Sequence, residues 1–240
     1  MIRKIVAKKL FKETEFRFRG HEVRRIEAFS DAVFAFAVTL LIVSLEVPKN
    51  FEELMNTMRG FMAFGVTFLL LMLLWYEQNI FFRRYGMDDL KTIILNCALI
   101  FLVLFYVYPL KFLFATIFNN AGDSLAMKDT DMRNLMLIYS CGYICIYFLF
   151  LLMHIHAFRK RVELSLKPAE IFETKTSIFK HLILIVIGLI SIMAALLLSP
   201  EKAGLAGMVY FLIGPAFTLL FTLRKAKKNK LYKLQINNEK

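Results

Sequence analysis

Residues 61–76 read FMAFGVTFLLLMLLWY and residues 181–198 read HLILIVIGLISIMAALLL, and neither run contains Asp, Glu, Lys or Arg. About 20 apolar residues cross a hydrocarbon core as a helix, and in lipid each backbone polar group must be satisfied within its own element. Both runs therefore read as membrane-spanning helices. Working outward from them, long apolar stretches fall at 28–47, 58–82, 90–114, 134–158, 178–199 and 204–223, which predicts an all-α polytopic membrane protein with six transmembrane helices. Composition agrees: 58% of residues are hydrophobic, against roughly 45–50% in soluble domains.

The connecting segments are short, the longest outer one running from about 119 to 133, and no Gly/Ser-rich linker divides the chain. The expectation is one membrane domain over 1–240, with a basic arm at 1–25, a helical region at 26–223 and a basic tail at 224–240. The first ten residues, MIRKIVAKKL, lack a sustained apolar region and a small-residue cleavage site, so they do not read as a removed signal peptide. With six crossings both termini share one side. Of the Lys and Arg residues, 25 fall on that side and five on the other, which places both termini in the cytoplasm of a cell membrane. This asymmetry accounts for the net charge of +12 through topology and contact with anionic lipid, with no nucleic-acid partner.

The first span reads RRIEAFSDAVFAFAVTLLIVSLEVP, with Arg25, Ser30 and Asp31 near its start and Thr39 and Ser44 deeper in. At about 100° per residue, Arg25, Phe29, Ala32, Thr39, Leu40, Val43 and Val47 all fall within about 60° of Phe36. They form an apolar stripe broken by one hydroxyl. Ser30 and Asp31 point away from it, and an acid at membrane depth requires a partner or water. The expectation is that they anchor the helix within its own subunit.

The run Arg25-x-x-x-Phe29-Ser30-Asp31, followed by Ala32-Val33-Phe34-Ala35-Phe36-Ala37-Val38-Thr39-Leu40-Leu41, resembles the first-helix signature of the transmembrane protein 175 family of potassium channels. It is most similar to the prokaryotic branch with one six-helix unit per chain, and Trp75, Asn96 and Pro109 fit the same pattern. The resemblance implies a homotetramer whose first helices line a central pore and pass potassium ions passively, without an organic cofactor. It places the hydrophobic constriction at Phe36, three positions before the signature threonine, with Thr39 as a hydroxyl ring where potassium is held transiently. Val43 is a further ring and Leu40 a neighbouring candidate; Arg25, Phe29, Ser30 and Asp31 are the family motif. No TVGYG-like segment supplies a carbonyl filter. Two positions depart from the family pattern: Phe36 stands where Ile or Leu is usual, and Gln78, three residues after Trp75, stands where relatives often carry His.

Other constellations point to no enzyme. His154 and His156 lie about 200° apart on a helix and cannot chelate one metal from one face. Cys141 and Cys145 share a face without further ligands, and with Cys97 they read as small core residues. Glu77 reads as a solvated residue closing the second span, and Gly214-Pro215 as a packing kink in the sixth. Nucleophile-elbow, zinc-protease, Walker and dinucleotide signatures are missing from the sequence. The rival functional class is a proton-coupled secondary transporter or exporter with Asp31 as proton carrier, but no second FSD-like motif repeats in residues 120–240.

Overall fold

A computed structural model describes residues 16–20, 22–43, 49–119 and 129–238. The described residues form helices throughout: α1 (Arg25–Val43), α2 (Phe51–Arg59), α3 (Phe61–Tyr85), α4 (Leu90–Asn119), α5 (Asp129–Arg159), α6 (Pro168–Leu197), a 3₁₀ stretch (Pro200–Leu212) and α7 (Ile213–Asn238). Among the described residues, five stretches are long and apolar enough to cross a membrane: Phe61–Tyr85, Leu90–Ile117, Asp131–Arg159, Pro168–Leu197 and Lys202–Lys225. The nineteen-residue α1 carries Arg25, Glu27 and Asp31 within its first two turns.

Helix boundaries differ from the expectation at two places. The fifth apolar stretch was expected to begin at 178, yet α6 already starts at Pro168, a residue whose fixed φ and missing N–H suit a first helical position. Glu170 closes a capping box there, accepting the Lys167 N–H at 2.9 Å. The short amphipathic helix α2 was not anticipated at all. At the other end of α3, Gly86 takes the left-handed conformation at φ +56° and donates its N–H to Phe82 O at 2.7 Å, which ends the helix.

Packing proceeds as a chain of neighbours. α1 lies on α3 and α4, α4 joins α3 to α5, α5 pairs most extensively with α6, and the 3₁₀ stretch fits against both α5 and α6. Large apolar side chains such as Leu69, Leu73, Phe101 and Phe105 remain exposed on the outside, as lipid-facing side chains do. Lipid tails are as apolar as the core, so helix association rests on close fit and interhelical hydrogen bonds rather than on burial from water. One such set closes the α5–α6 seam: Tyr210 Oη donates to Ser140 Oγ at 2.9 Å, Ser140 and Ser191 hydroxyls meet at 3.1 Å, and Ser191 donates to Ala206 O at 3.0 Å. The predicted break in the last span is a change from 3₁₀ to α geometry at Ile213, directly before Gly214-Pro215.

The amino-terminal arm is more than a topology signal. Arg19 grips buried Glu170 through both guanidinium amines, at 3.2 and 2.7 Å, and donates from Nε to Leu164 O at 2.9 Å. Phe16 is buried with its ring edge-on to Tyr85. The three cysteines, expected in the core, all face outward from the bundle and are unpaired. Their small side chains sit on outward helix faces, where an apolar thiol suits lipid as well as a core.

Gly142 shows how tight the α4–α5 contact is, because a Cβ there would overlap the Tyr106 ring, itself held by its hydroxyl donating to Tyr139 O at 2.9 Å. Gly142→Ala is expected to destabilise the protein by about 1–2 kcal/mol through overpacking. A thermal melt in detergent reads this as a lowered Tm; an unchanged Tm would mean the ring yields freely.

Candidate functional site

α1 is buried on one side and open on the other. Ser30, Phe34, Ala37 and Leu41, spaced four, three and four apart, are fully or nearly fully buried against the bundle. Arg25, Phe29, Ala32, Ala35, Phe36 and Thr39 are exposed, Phe36 with 56% of its surface. Leu40 is half-buried. At about 100° per residue the open sector centres near Thr39 rather than on Phe36. Of the remaining predicted stripe, the side chain of Val43 and all of Ser44 and Val47 lie outside the described residues.

The alternation of small and large residues explains this division. Ala28, Ala32, Ala35 and Ala37 leave the helix narrow, while Phe34 and Leu41 supply the knobs that fill the groove against α3 and α4. Thr39 Oγ1 donates to Ala35 O at 3.0 Å. That bond occupies the hydroxyl proton and leaves the exposed oxygen free to accept.

The polar side of α1 is clamped by side chains from two other helices. Ser30 Oγ donates to Ile26 O and accepts from Asn96 Nδ2, both at 2.7 Å; Asn96 Oδ1 in turn accepts from Gln78 Nε2 at 2.7 Å. All three side chains are buried. Trp75 Nε1 donates to Asp31 Oδ1 at 2.7 Å. Trp75 and Gln78 are three residues apart on α3, so one helix face reaches both Ser30, through Asn96 of α4, and Asp31. Gln78 thus fills the position where His is usual with an amide that serves as a donor at any pH. Near the far end of α1, Lys111 Nζ on α4 donates to Leu41 O at 3.4 Å.

A second cluster was missed in the sequence. Glu77, expected to be a solvated end residue, lies two turns inside α3 and meets Lys180 Nζ at 2.5 Å and His181 Nε2 at 3.3 Å, both on α6. His154 of α5 sets its ring 4.7 Å from that of His181, tilted by 34°. The separation of His154 from His156 follows expectation, since His156 turns to Asp89 at 2.7 Å. Burial pushes the Asp89 carboxyl upward, but hydrogen bonds from Thr92 and His156 hold it below its ordinary range. Glu77 and His181 are over a hundred positions apart, so the only sequence signal for the cluster is three ionisable residues inside apolar runs.

Comparison with known proteins completes the description. The family model described as endosomal/lysosomal potassium channel TMEM175 matches residues 25–109, which run from the start of α1 into α4. A protein of Marivirga tractuosa named potassium channel is 36% identical over 231 residues, covering 90% of this chain and 93% of that protein. A potassium channel of Chamaesiphon minutus is 31% identical over 96 residues, 37% of this chain and 47% of its own length. Among solved structures, a crystal structure of the potassium channel MtTMEM175 bound to a Nanobody-MBP fusion protein aligns with a TM-score of 0.78 at 35% identity, covering 88% of this chain and 97% of that one.

Proposed function

The chain belongs to the endosomal/lysosomal potassium channel TMEM175 family, and from that membership we propose that it is a potassium-permeable channel whose pore is lined by α1. The observation that carries the reading is the open face of α1, with Phe36 and Thr39 on it while the opposite face is packed and hydrogen-bonded into the bundle. A helix held so firmly on one side, with an Arg at one end of the other and a hydroxyl midway, suits a surface that meets copies of itself.

In this proposal four chains assemble around an axis with Phe36 rings forming an apolar neck and Thr39 hydroxyls a ring one turn further along. α1 is the sixth crossing, the whole chain is one membrane domain, and both termini lie in the cytoplasm of a multi-pass cell-membrane protein surrounded by lipid. A neck of this kind gates by wetting and drying. The Thr39 oxygen, with its proton committed to Ala35 O, stands in for part of a cation's lost hydration, which favours the more easily dehydrated potassium over sodium. Phe36 presents ring faces as well as bulk, so a cation in the neck also meets a weak π attraction. Val43 forms a further apolar ring and Leu40 packs behind Phe36. The Trp75–Asp31 bond supports Asp31 as an anchor of α1 rather than as the proton carrier of a coupled transporter.

Purified protein in liposomes tests the reading. With a proton ionophore carrying the compensating current, a potassium gradient is expected to drive several-fold faster flux than an equal sodium gradient, about 1 kcal/mol of preference. Equal permeation of both ions would remove Thr39 as a selecting ring, and no flux from a confirmed tetramer would return the transporter reading.

A further inference from the structure

We infer that Glu77, His154 and His181 form a binding site for a divalent transition metal of the zinc class, buried between α3, α5 and α6 and separate from the α1 face. One ligand-capable atom from each residue lies within 4.8 Å of the other two. This inference does not rest on the permeation reading.

The hydrogen bonds of both imidazoles prepare them for a metal. His181 Nδ1 meets Ser177 O at 2.7 Å, and His154 Nδ1 meets Phe150 O at 2.9 Å. A backbone carbonyl only accepts, so each Nδ1 carries a hydrogen, and in the neutral ring each Nε2 keeps its lone pair for a metal. Metal-bound histidines are held in the same way, with the non-ligating nitrogen donating to a carbonyl or carboxylate. His181 is fully buried, and its Nε2 has no hydrogen-bond partner. What it faces instead is Glu77 Oε1 at 3.3 Å, a spacing that an ion held between the two atoms would fill. That separation is close to the roughly 3.4 Å between two ligands of a tetrahedral zinc ion bonded at about 2.0–2.1 Å.

Glu77 is also oriented. Lys180 Nζ binds Oε2 at 2.5 Å, which leaves Oε1 turned to the histidines and balances the carboxylate charge. Two His and one Glu with a fourth position for water is an established zinc ligand set, and the same donors accept cobalt and nickel. A cleft of about 500 Å³ reaches the Glu77 side of the site, lined by Glu77, Ser177, Lys180 and Arg224. The bound ion ties three helices together near their basic ends, one residue away from Gln78 on α3.

The full chain, purified in detergent and stripped with a chelator, is titrated with zinc against a chromophoric competitor and, separately, with cobalt. The expected result is one tight equivalent per chain and a visible cobalt spectrum of nitrogen and oxygen ligation without thiolate charge transfer. Glu77→Gln, His154→Gln and His181→Gln should each weaken zinc by more than the roughly tenfold that loss of a supporting partner costs. His156→Gln, whose ring is bound to Asp89, should leave affinity unchanged. Absence of a tight equivalent in the wild-type chain overturns the proposal whatever the variants do. So does a tight equivalent that survives both His154→Gln and His181→Gln, which would place the ion on other ligands.

Discussion

Phe36→Ala is expected to raise potassium flux through the reconstituted protein by about tenfold or more. In the proposed tetramer, drying of an apolar neck would be the barrier that four Phe36 rings impose, and a tenfold rate change requires only about 1.4 kcal/mol off that barrier. Removing four rings deletes far more apolar surface than this, given roughly 0.8 kcal/mol per methylene-sized group. The substitution is also benign for the fold, since Phe36 is 56% exposed in the chain and contributes little to the packing of α1 on α3 and α4. The measurement is potassium efflux from liposomes of wild type and variant at matched protein density, with tetramer content checked in detergent. Unchanged flux in a well-assembled variant would mean that the neck lies elsewhere on α1 and would remove Phe36 as the constriction.

Asn96→Leu is expected to lower the Tm in detergent by about 4–8 °C. Leucine keeps the branching at Cγ but takes away the acceptor of Gln78 Nε2 and the donor to Ser30 Oγ, leaving a buried amide donor without a partner. Such a group costs about 1–3 kcal/mol, and interhelical hydrogen bonds in membranes fall at the lower end because the loosened helices find other partners. A value of about 2 kcal/mol in a chain of this length corresponds to the stated shift at roughly 2–4 °C per kcal/mol. Ser30→Ala gives the contrast, since it spares the Gln78–Asn96 bond and should cost less. If Asn96→Leu and Ser30→Ala melt alike and close to wild type, the buried chain of side chains does not hold α1.

Both effects fall on one helix whose two sides were legible to different degrees. The spacing of Phe29, Phe36 and Thr39 placed them on a common face, and a helix of 3.6 residues per turn leaves little freedom in that inference. The breadth of the open sector was not legible, because it depends on which neighbours cover α1, and these are α3 and α4 rather than a ring of helices. Gln78 was visible only as a departure from a familiar pattern. That its amide bridges to Ser30 through Asn96 follows from the packing of α3 on α4, which no local spacing encodes.

Elsewhere the same division holds. Uncharged runs marked where the chain crosses lipid, but Glu77 was read as a solvated end residue because charge was equated with the aqueous boundary. It lies inside a helix because Lys180 neutralises it across the α3–α6 contact, with His181 beside the pair. The basic arm was read through its charge alone, whereas Arg19 is held by Glu170 and three backbone carbonyls of the chain.

By itself the sequence determined that this protein is helical and embedded in a membrane, and it placed Phe29, Phe36 and Thr39 on one face of α1. Those properties follow from the period of the helix and from the cost of an unsatisfied backbone in lipid, both local to a segment. Only the tertiary structure decided which polar groups meet: Gln78 with Asn96 and Ser30, Trp75 with Asp31, Glu77 with Lys180 and His181. In an apolar medium a few such contacts select among many packings of similar helices, and they join residues too far apart in the chain for any periodicity to reveal.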